Sequence, residues 1–592
     1  MEPMRQNGSD NLDELQHRSA VGRYGSEWSA WAIFVGVAFL LQMFLALNTR
    51  APFVIENGDN GSILYIIAHW IQPEAFMDDV LLGVDGTTSF YQAALMWPNY
   101  LLGLAGVELG FFYVIICFPI AMAQMGGFYL LGKQLFLNRN VAIALALISI
   151  PTVFTISGDL WGHYYSPLLR SAYGAALPWL LLILISPSRP RPYALMTAAA
   201  AASYLHLPSG PPVALALLFV SLLRRSEGQG WGYAFVHHVL AGVLYLALMS
   251  PYALLFSQTF AAGDKEALQQ FANSPYANVG MAIDHLSTLR GVRRMSILIS
   301  RVPGMEWADR VVVPFFGVLF VVGGLSLLVV TFTSVLPSHL RSRLSFSQSW
   351  YWVAGFFTTT IFLALGISAI DQAIAAAQAR GPLQLDFIRA TRFGVPATYI
   401  GMFMLITYLA QRFKPKASCL APTCTIALAV WVWLFAYPST SHGLYRMTKG
   451  QSIEDTNLTQ FGQFSQKMAE IDGVGPITPV LRYDYLSSAL RYVAFLPLTF
   501  NRKDNNFISY SGRLDSREHR ALMDQIDAIR KARRDPDAQV PIITGFVDVL
   551  GSPDVVIDRR VVQELAEARL VSEYGFDLQL ELGPFAYYRR AQ

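Results

Sequence analysis

Apolar runs of near-membrane length recur from Trp28 to Tyr437, separated by short polar connections. The first is Trp28–Leu47. Further runs are Gly110–Leu131, Val141–Ile156, Ser171–Ile185, Tyr193–Leu205, Pro211–Leu223, Ala234–Phe256, Val311–Leu336, Tyr351–Ala375, Gly394–Leu409 and Thr423–Tyr437. That makes about eleven predicted spans, since an apolar run of roughly 20 residues matches the hydrocarbon thickness of a bilayer. Ser89–Leu104 is also apolar, but Trp97-Pro98-Asn99 interrupts it, and it reads as an interfacial segment. Ser62–Trp70 reads as a short amphipathic helix. From Pro438 the pattern changes to mixed short elements. Helices are expected at Ser452–Ile471, Ser516–Arg534 and Arg559–Ala568, and strands at Val540–Thr544, Asp554–Val556, Phe576–Leu582 and Phe585–Tyr588. The expected fold is an all-α polytopic membrane protein with a small α/β C-terminal domain. Its parts are a tail over 1–27, a transmembrane domain over 28–437 with a first outer loop over 48–109, and the C-terminal domain over 438–592.

Composition supports the membrane reading. The chain has 592 residues, of which 53% are hydrophobic and 14% charged, against about 25% charged in soluble domains. Charge also sets the orientation. With the N-terminus cytoplasmic, the short inner connections carry Lys133 and Arg139, Arg189 and Arg191, Arg224 and Arg225, Arg341 and Arg343, and Arg412, Lys414 and Lys416. This is the positive-inside pattern, and counting Ser89–Leu104 as a span would invert all of it. The C-terminal domain then lies outside, and the short, bacterial-looking loops suggest a bacterial inner membrane, which makes that domain periplasmic. The tail lacks a cleavable signal pattern. Three cysteines, Cys117, Cys419 and Cys424, offer neither a zinc spacing nor a disulfide framework. No P-loop, GxGxxG, GxSxG or HExxH motif carries the chain, and no nucleic-acid partner is expected.

The candidate chemistry lies at the outer ends of the spans. After the first span comes an acidic, aromatic loop with Glu56, Asp59, Asp78, Asp79 and Asp85, and no Lys or Arg falls between Arg50 and Lys133. Carboxylates beside a span are costly without a partner or a task. Asp59 can act as a general base on an acceptor, or ligate a divalent cation such as Mg2+ or Mn2+. Asp78 and Asp79 read equally as substrate contacts or as a helix N-cap. A second cluster is Ser157-Gly158-Asp159-Leu160-Trp161-Gly162-His163. Asp159 or His163 can complete a metal site or an acid/base pair with Asp59, and Trp161 can stack on a sugar ring or belong to an interfacial aromatic belt. His206 opens the broken turn HLPSGPP, and broken backbone at membrane depth is tolerated where it is packed in protein or lines a cavity. Arg389 and Arg392, three residues apart, suit a phosphate head group, or else an ion pair with Asp386.

This layout resembles the GT-C superfamily of integral-membrane glycosyltransferases, which use polyprenyl-phosphate-linked sugars. ENGDNGSILYIIAHWIQPEAFMDDVLLG is similar to the first-loop pattern of bacterial members. GDLWGHYYSPLLRSAYGAALPWLLL and YLHLPSGPP are similar to their middle spans, and YSGRLDS to a segment of their tails. The resemblance implies that Asp59 activates the acceptor or helps hold a metal, that Asp159 assists, and that Arg389 and Arg392 contact the lipid-linked phosphate. Glu56, Asp78, Asp79, Trp161, His163 and His206 would then contribute to substrate binding. The implied partners are a polyprenyl-phosphate sugar, a lipid, glycan or protein acceptor, and membrane lipids. Departures are the absence of a WWD motif in the tail and the late position of Asp78-Asp79. Two other classes are a lipid or polysaccharide transporter, which would want polar groups near the midplane and internal repeats, and a non-catalytic assembly protein of the same fold.

Overall fold

The computed structural model describes residues 9–49, 51–55, 58–84, 86–88, 93–156, 159–163, 169–186, 191–224, 230–260, 278–300, 304, 306–333, 346–378, 387–412, 420–436, 457–504, 507–508, 516–532 and 535–591. Its apolar part is helical: α1 (Ser9–Thr49), α2 (Gly58–Ile71), α3 (Met96–Leu104), α4 (Phe111–Phe136), α5 (Arg139–Ile148), α6 (Leu169–Ile185), α7 (Pro192–Ser203), α8 (Gly210–Leu223), α9 (Trp231–Phe260), α10 (Val279–Ser287), α11 (Arg290–Ser300), α12 (Ala308–Thr333), α13 (Gln348–Ala377), α14 (Gly394–Arg412) and α15 (Leu420–Ala436). A hairpin of β1 (Val153–Ile156) and β2 (Asp159–Trp161) interrupts the series.

Each of the eleven apolar runs carries a helix. Among the described residues, six stretches are long and apolar enough to cross a membrane: Glu27–Leu47, Phe111–Phe136, Trp231–Leu255, Arg310–Thr333, Gln348–Ala377 and Phe387–Arg412. The expected span Val141–Ile156 is not one helix. Asn138 caps α5, its side chain accepting from the Asn140 and Val141 amides, and α5 ends at Ile148. Pro151 has no N–H to continue a helix, and the run Val153-Phe154-Thr155-Ile156, three β-branched residues and an aromatic, forms a strand instead. Within Ser89–Leu104 the described helix α3 has nine residues. At 1.5 Å per residue it falls well short of the roughly 30 Å of a hydrocarbon core.

The C-terminal region comprises α16 (Asn457–Ala469), β3 (Ile477–Val480), α17 (Asp484–Val493), α18 (Ser516–Lys531), α19 (Pro536–Leu550), β4 (Asp554–Asp558), α20 (Glu564–Tyr574), β5 (Phe576–Leu582) and β6 (Phe585–Arg590). The sheet order is β3-β4-β6-β5, with β3 and β4 parallel and the other pairs antiparallel. Val540–Thr544, expected as a strand, lies inside α19. Asp535 caps this helix through the Ala538 amide, Pro536 starts it and left-handed Gly551 closes it. Those end signals outweigh the β-branched interior. The helix expected over Arg559–Ala568 begins at Glu564, because Asp558 to Val562 turn off the end of β4.

Two hydrophobic cores decide the architecture. One joins α1, α4–α9, α11–α15 and the hairpin. The other is built from both ends of the chain. Val54, Ile63, Leu64, Ile67, Phe76 and Leu81 from the first loop pack with Phe461, Phe464, Leu486, Leu490 and Tyr587 from the C-terminal region. Phe112 and Ile116 of α4 and Leu169 and Ala172 of α6 also enter this second core. It therefore sits on the ends of the apolar helices. Gly61 makes the α2–α17 approach feasible, since a Cβ there would lie 3.1 Å from Ser488 Cβ.

Candidate active site

The β1–β2 hairpin places Asp159 at its tip, paired with Ile156 across the strands. Gly162 ends the hairpin at φ +90°, a backbone state that disfavours any side chain. Its carbonyl accepts from Ser171 Oγ at 2.9 Å, which ties the hairpin to the first turn of α6. The same turn carries Arg170, whose guanidinium spans two acids. Nη1 donates to Asp159 Oδ1 at 3.1 Å and Nη2 pairs with Asp59, in the first turn of α2.

A second guanidinium meets the same oxygen of Asp159. Arg392 lies in the short 3-10 turn Phe387–Phe393, ahead of α14, and its Nη1 is 3.3 Å from Asp159 Oδ1. Its Nη2 donates to Ser209 and lies 3.1 Å from His206 Nδ1. His206 and Ser209 bond each other at 2.9 Å around the 3-10 turn Leu207–Ser209 that opens α8. Burial, and next the Arg392 charge with Arg170 and Arg389 behind it, holds the His206 imidazole well below its ordinary pKa. His206 is therefore neutral and its Nδ1 accepts.

Exposure falls steeply along this chain of charges. The side chain of Asp59 is 45% exposed, that of Arg170 8%, Asp159 0% and Arg392 1%. Asp159 Oδ1 receives both guanidiniums, while among the described residues its Oδ2, although buried, has no partner, and neither has Arg392 Nε. The arrangement is thus under-satisfied at its buried end and open to solvent at Asp59. Arg170 and Arg392 both converge on Asp159, and Arg389 also acts on His206; guanidiniums gathered in this way suit an anion.

The structure brings Asp59, Asp159, His206, Arg389 and Arg392 together from four separated parts of the sequence. Other candidates lie elsewhere. Glu56, Asp85 and Asp386 are outside the described residues. Asp78 is exposed on the loop. Asp79 belongs to a different buried cluster: its Oδ1 accepts from the Leu81 and Leu82 amides at 2.9 Å, its Oδ2 accepts from the Leu498 amide at 2.8 Å, and Arg491 bonds both oxygens at 2.7 Å. Arg491 also bonds Asp504 at 2.7 and 2.8 Å and lies 4.7 Å over the Tyr65 ring. Burial, and then the Asp504 charge, pushes the Tyr65 phenol well above its ordinary pKa. Trp161 is buried between Phe128 and Phe393, each ring 6.1 Å away, and donates to Ser149 O at 3.0 Å, which leaves no open face for a sugar. His163 lies behind the hairpin with Nε2 3.1 Å from Gln124 Oε1, and burial pushes its pKa down to about 4.

Arg170 and Ser209 were not singled out in the sequence. A signal existed for Arg170, a cation at the mouth of an apolar helix eleven residues from an acid, since charge at that depth needs a partner. Ser209 carries none beyond its place in the broken turn. The donor set does not fit the expected divalent metal: Arg170 occupies the position between Asp59 and Asp159 that a bridging cation would take. Among the described residues no group of three or more His, Cys, Asp or Glu converges as a metal site.

No family model matches the chain, and no curated protein matches it. Among solved structures, the crystal structure of ArnT from Cupriavidus metallidurans bound to undecaprenyl phosphate aligns over 95% of this chain and 98% of that one, with 14% identity and a TM-score of 0.38. At that TM-score the correspondence is loose, and no assignment is taken from it.

Proposed function

We propose that this chain is an integral-membrane glycosyltransferase that moves a sugar from a polyprenyl-phosphate donor to an acceptor hydroxyl. The observation that carries the reading is the graded ion network from half-exposed Asp59 through Arg170 to buried Asp159 and Arg392. It lies where the apolar helices meet the polar C-terminal region. The isoprenoid tail would lie among the apolar helices, with its phosphate at Arg170, Arg389 and Arg392. Asp59 would accept the proton of the acceptor hydroxyl as that oxygen bonds to the anomeric carbon. The anomeric carbon–phosphate oxygen bond breaks in the same displacement, and the polyprenyl phosphate leaves with the electron pair, inverting the anomeric centre. Stabilising that leaving charge is the larger task, and preorganised guanidiniums in a dry site suit it. Asp159 orients both arginines, and neutral His206 with Ser209 orients Arg392. The outer-face placement of this site follows the charge bias of the connections.

The test is transfer from a panel of radiolabelled polyprenyl-phosphate sugars into membrane extracts, with wild type beside Asp59→Asn. Incorporation lost in the folded variant supports the reading. Equal incorporation in both removes Asp59 as the base, and no incorporation from any donor removes the transferase reading.

A further inference from the structure

Arg170 makes two ion pairs of very different character. Its link to Asp159 is buried on both sides, whereas Asp59, its other partner, is 45% exposed. A pair with one end in solvent is cheaper to separate, because water solvates the Asp59 carboxylate on opening while Asp159 still holds Arg170. A buried pair is not, because the remaining charge would be stranded. An anion arriving from the solvent side therefore meets one exchangeable contact, the Arg170 nitrogen that Asp59 holds.

We infer that Asp59 is a placeholder on Arg170, and that the phosphate of the lipid-linked donor displaces it, so that donor binding itself releases the Asp59 carboxylate to face the acceptor. This rests on the transferase reading and assigns Arg170, which that reading uses only as one of three cations, as the group the phosphate takes over. The exchange conserves charge at Arg170: one anionic partner leaves and another arrives, while Asp159 keeps its hold on Nη1 and stops the guanidinium following the departing carboxylate. It also takes the Arg170 guanidinium off the base only in the donor-bound state, and a carboxylate paired to a guanidinium is a weakened proton acceptor.

The inference makes an unusual prediction about binding. Asp59 competes with phosphate, so removing its charge strengthens donor-site binding even as it removes the base. Binding of decaprenyl monophosphate to the full-length, detergent-purified chain would be titrated by intrinsic fluorescence for wild type, Asp59→Asn, Asp59→Ala, Arg170→Gln and the Asp59→Asn/Arg170→Gln double variant. The expected result is binding about fivefold tighter in both Asp59 variants. Arg170→Gln should bind more weakly than wild type, and the double variant should show none of the Asp59 gain. Inorganic phosphate as a competitor should show the same Asp59→Asn gain, because the exchange is at the phosphate. A gain seen for the lipid alone would overturn exchange at Arg170. Wild-type binding with an unchanged or weaker Asp59→Asn would overturn the placeholder role and leave the transferase reading standing. No binding of decaprenyl monophosphate by any form would remove that reading, and this inference with it.

Discussion

Among the described residues arginine is buried in two places, and the contrast separates support from chemistry. Arg491 is saturated: Asp79 and Asp504 take its donors, Tyr65 covers its face, and backbone amides fill the remaining acceptor positions on Asp79. Arg392 and Arg170 share one oxygen of Asp159, leave the other without a partner among the described residues, and reach solvent through Asp59. A saturated cluster has no capacity left for a ligand. It links the first loop to the C-terminal region across more than 400 residues of sequence. The under-satisfied cluster is the one arranged to receive something.

Breaking the saturated cluster should have the largest effect on stability. Arg491→Met strands two buried carboxylates and should cost about 3–5 kcal/mol, seen as a large fall in thermal unfolding temperature and in yield. Wild-type stability in that variant would put the two clusters on an equal footing. Asp59→Asn should show the opposite profile. Transfer should fall by roughly 10²–10⁴-fold, the usual contribution of a positioned base, while stability changes by about 1 kcal/mol or less, since Asp59 is half-exposed and Asp159 keeps Arg170 paired. A variant that lost both would make Asp59 a structural residue like Asp79.

His163 sharpens the comparison from behind the open cluster. Its folded pKa of about 4 lies below the ordinary 6.5, so the folded state resists protonation. Its stabilising contribution is present above about pH 6.5 and is lost as pH falls toward 4, amounting to about 3 kcal/mol. Unfolding temperature followed over that range should decline less steeply in His163→Gln than in wild type. An identical slope would show that the ring is not buried neutral. The smallest expected effect is that of chelation: with Arg170 between the two acids, EDTA should leave transfer unchanged, and a loss restored by Mg2+ or Mn2+ would mean that Arg170 yields to a cation.

Charges that are rare in their surroundings were legible in the sequence. Asp59, Asp159, His206 and Arg392 stood out because each sits at the end of an apolar run, and the fold brings them together. Arg170 was passed over because the pattern assigns it to a loop, and only the three-dimensional path of the hairpin sets it between two acids. Asp79 carried two readings, an N-cap and a substrate contact. Its bonds to the Leu81 and Leu82 amides are those of a capping acid, while its tie to Arg491 depends on a partner far along the chain. Trp161 looked interfacial from composition, yet the strand it belongs to turns it inward, and His163 just beyond that strand is buried as well. The helix at Pro536–Leu550 was obscured by β-branched residues, although its Asp-Pro start and Gly end were present.

The second core has a consequence in time. Its first half, the apolar face of α2 and the loop after it, is made early, while the residues that cover it begin at Leu458. At about 5–20 residues per second, synthesis leaves that face uncovered for on the order of half a minute in every molecule made. During that interval Ile63, Leu64, Ile67 and Phe76 have only the early part of their core, such as Phe112 and Leu169, and none of the C-terminal residues that complete it. The C-terminal region produced alone would have the complementary deficit for its whole lifetime, so its solubility depends on a segment the ribosome finished long before.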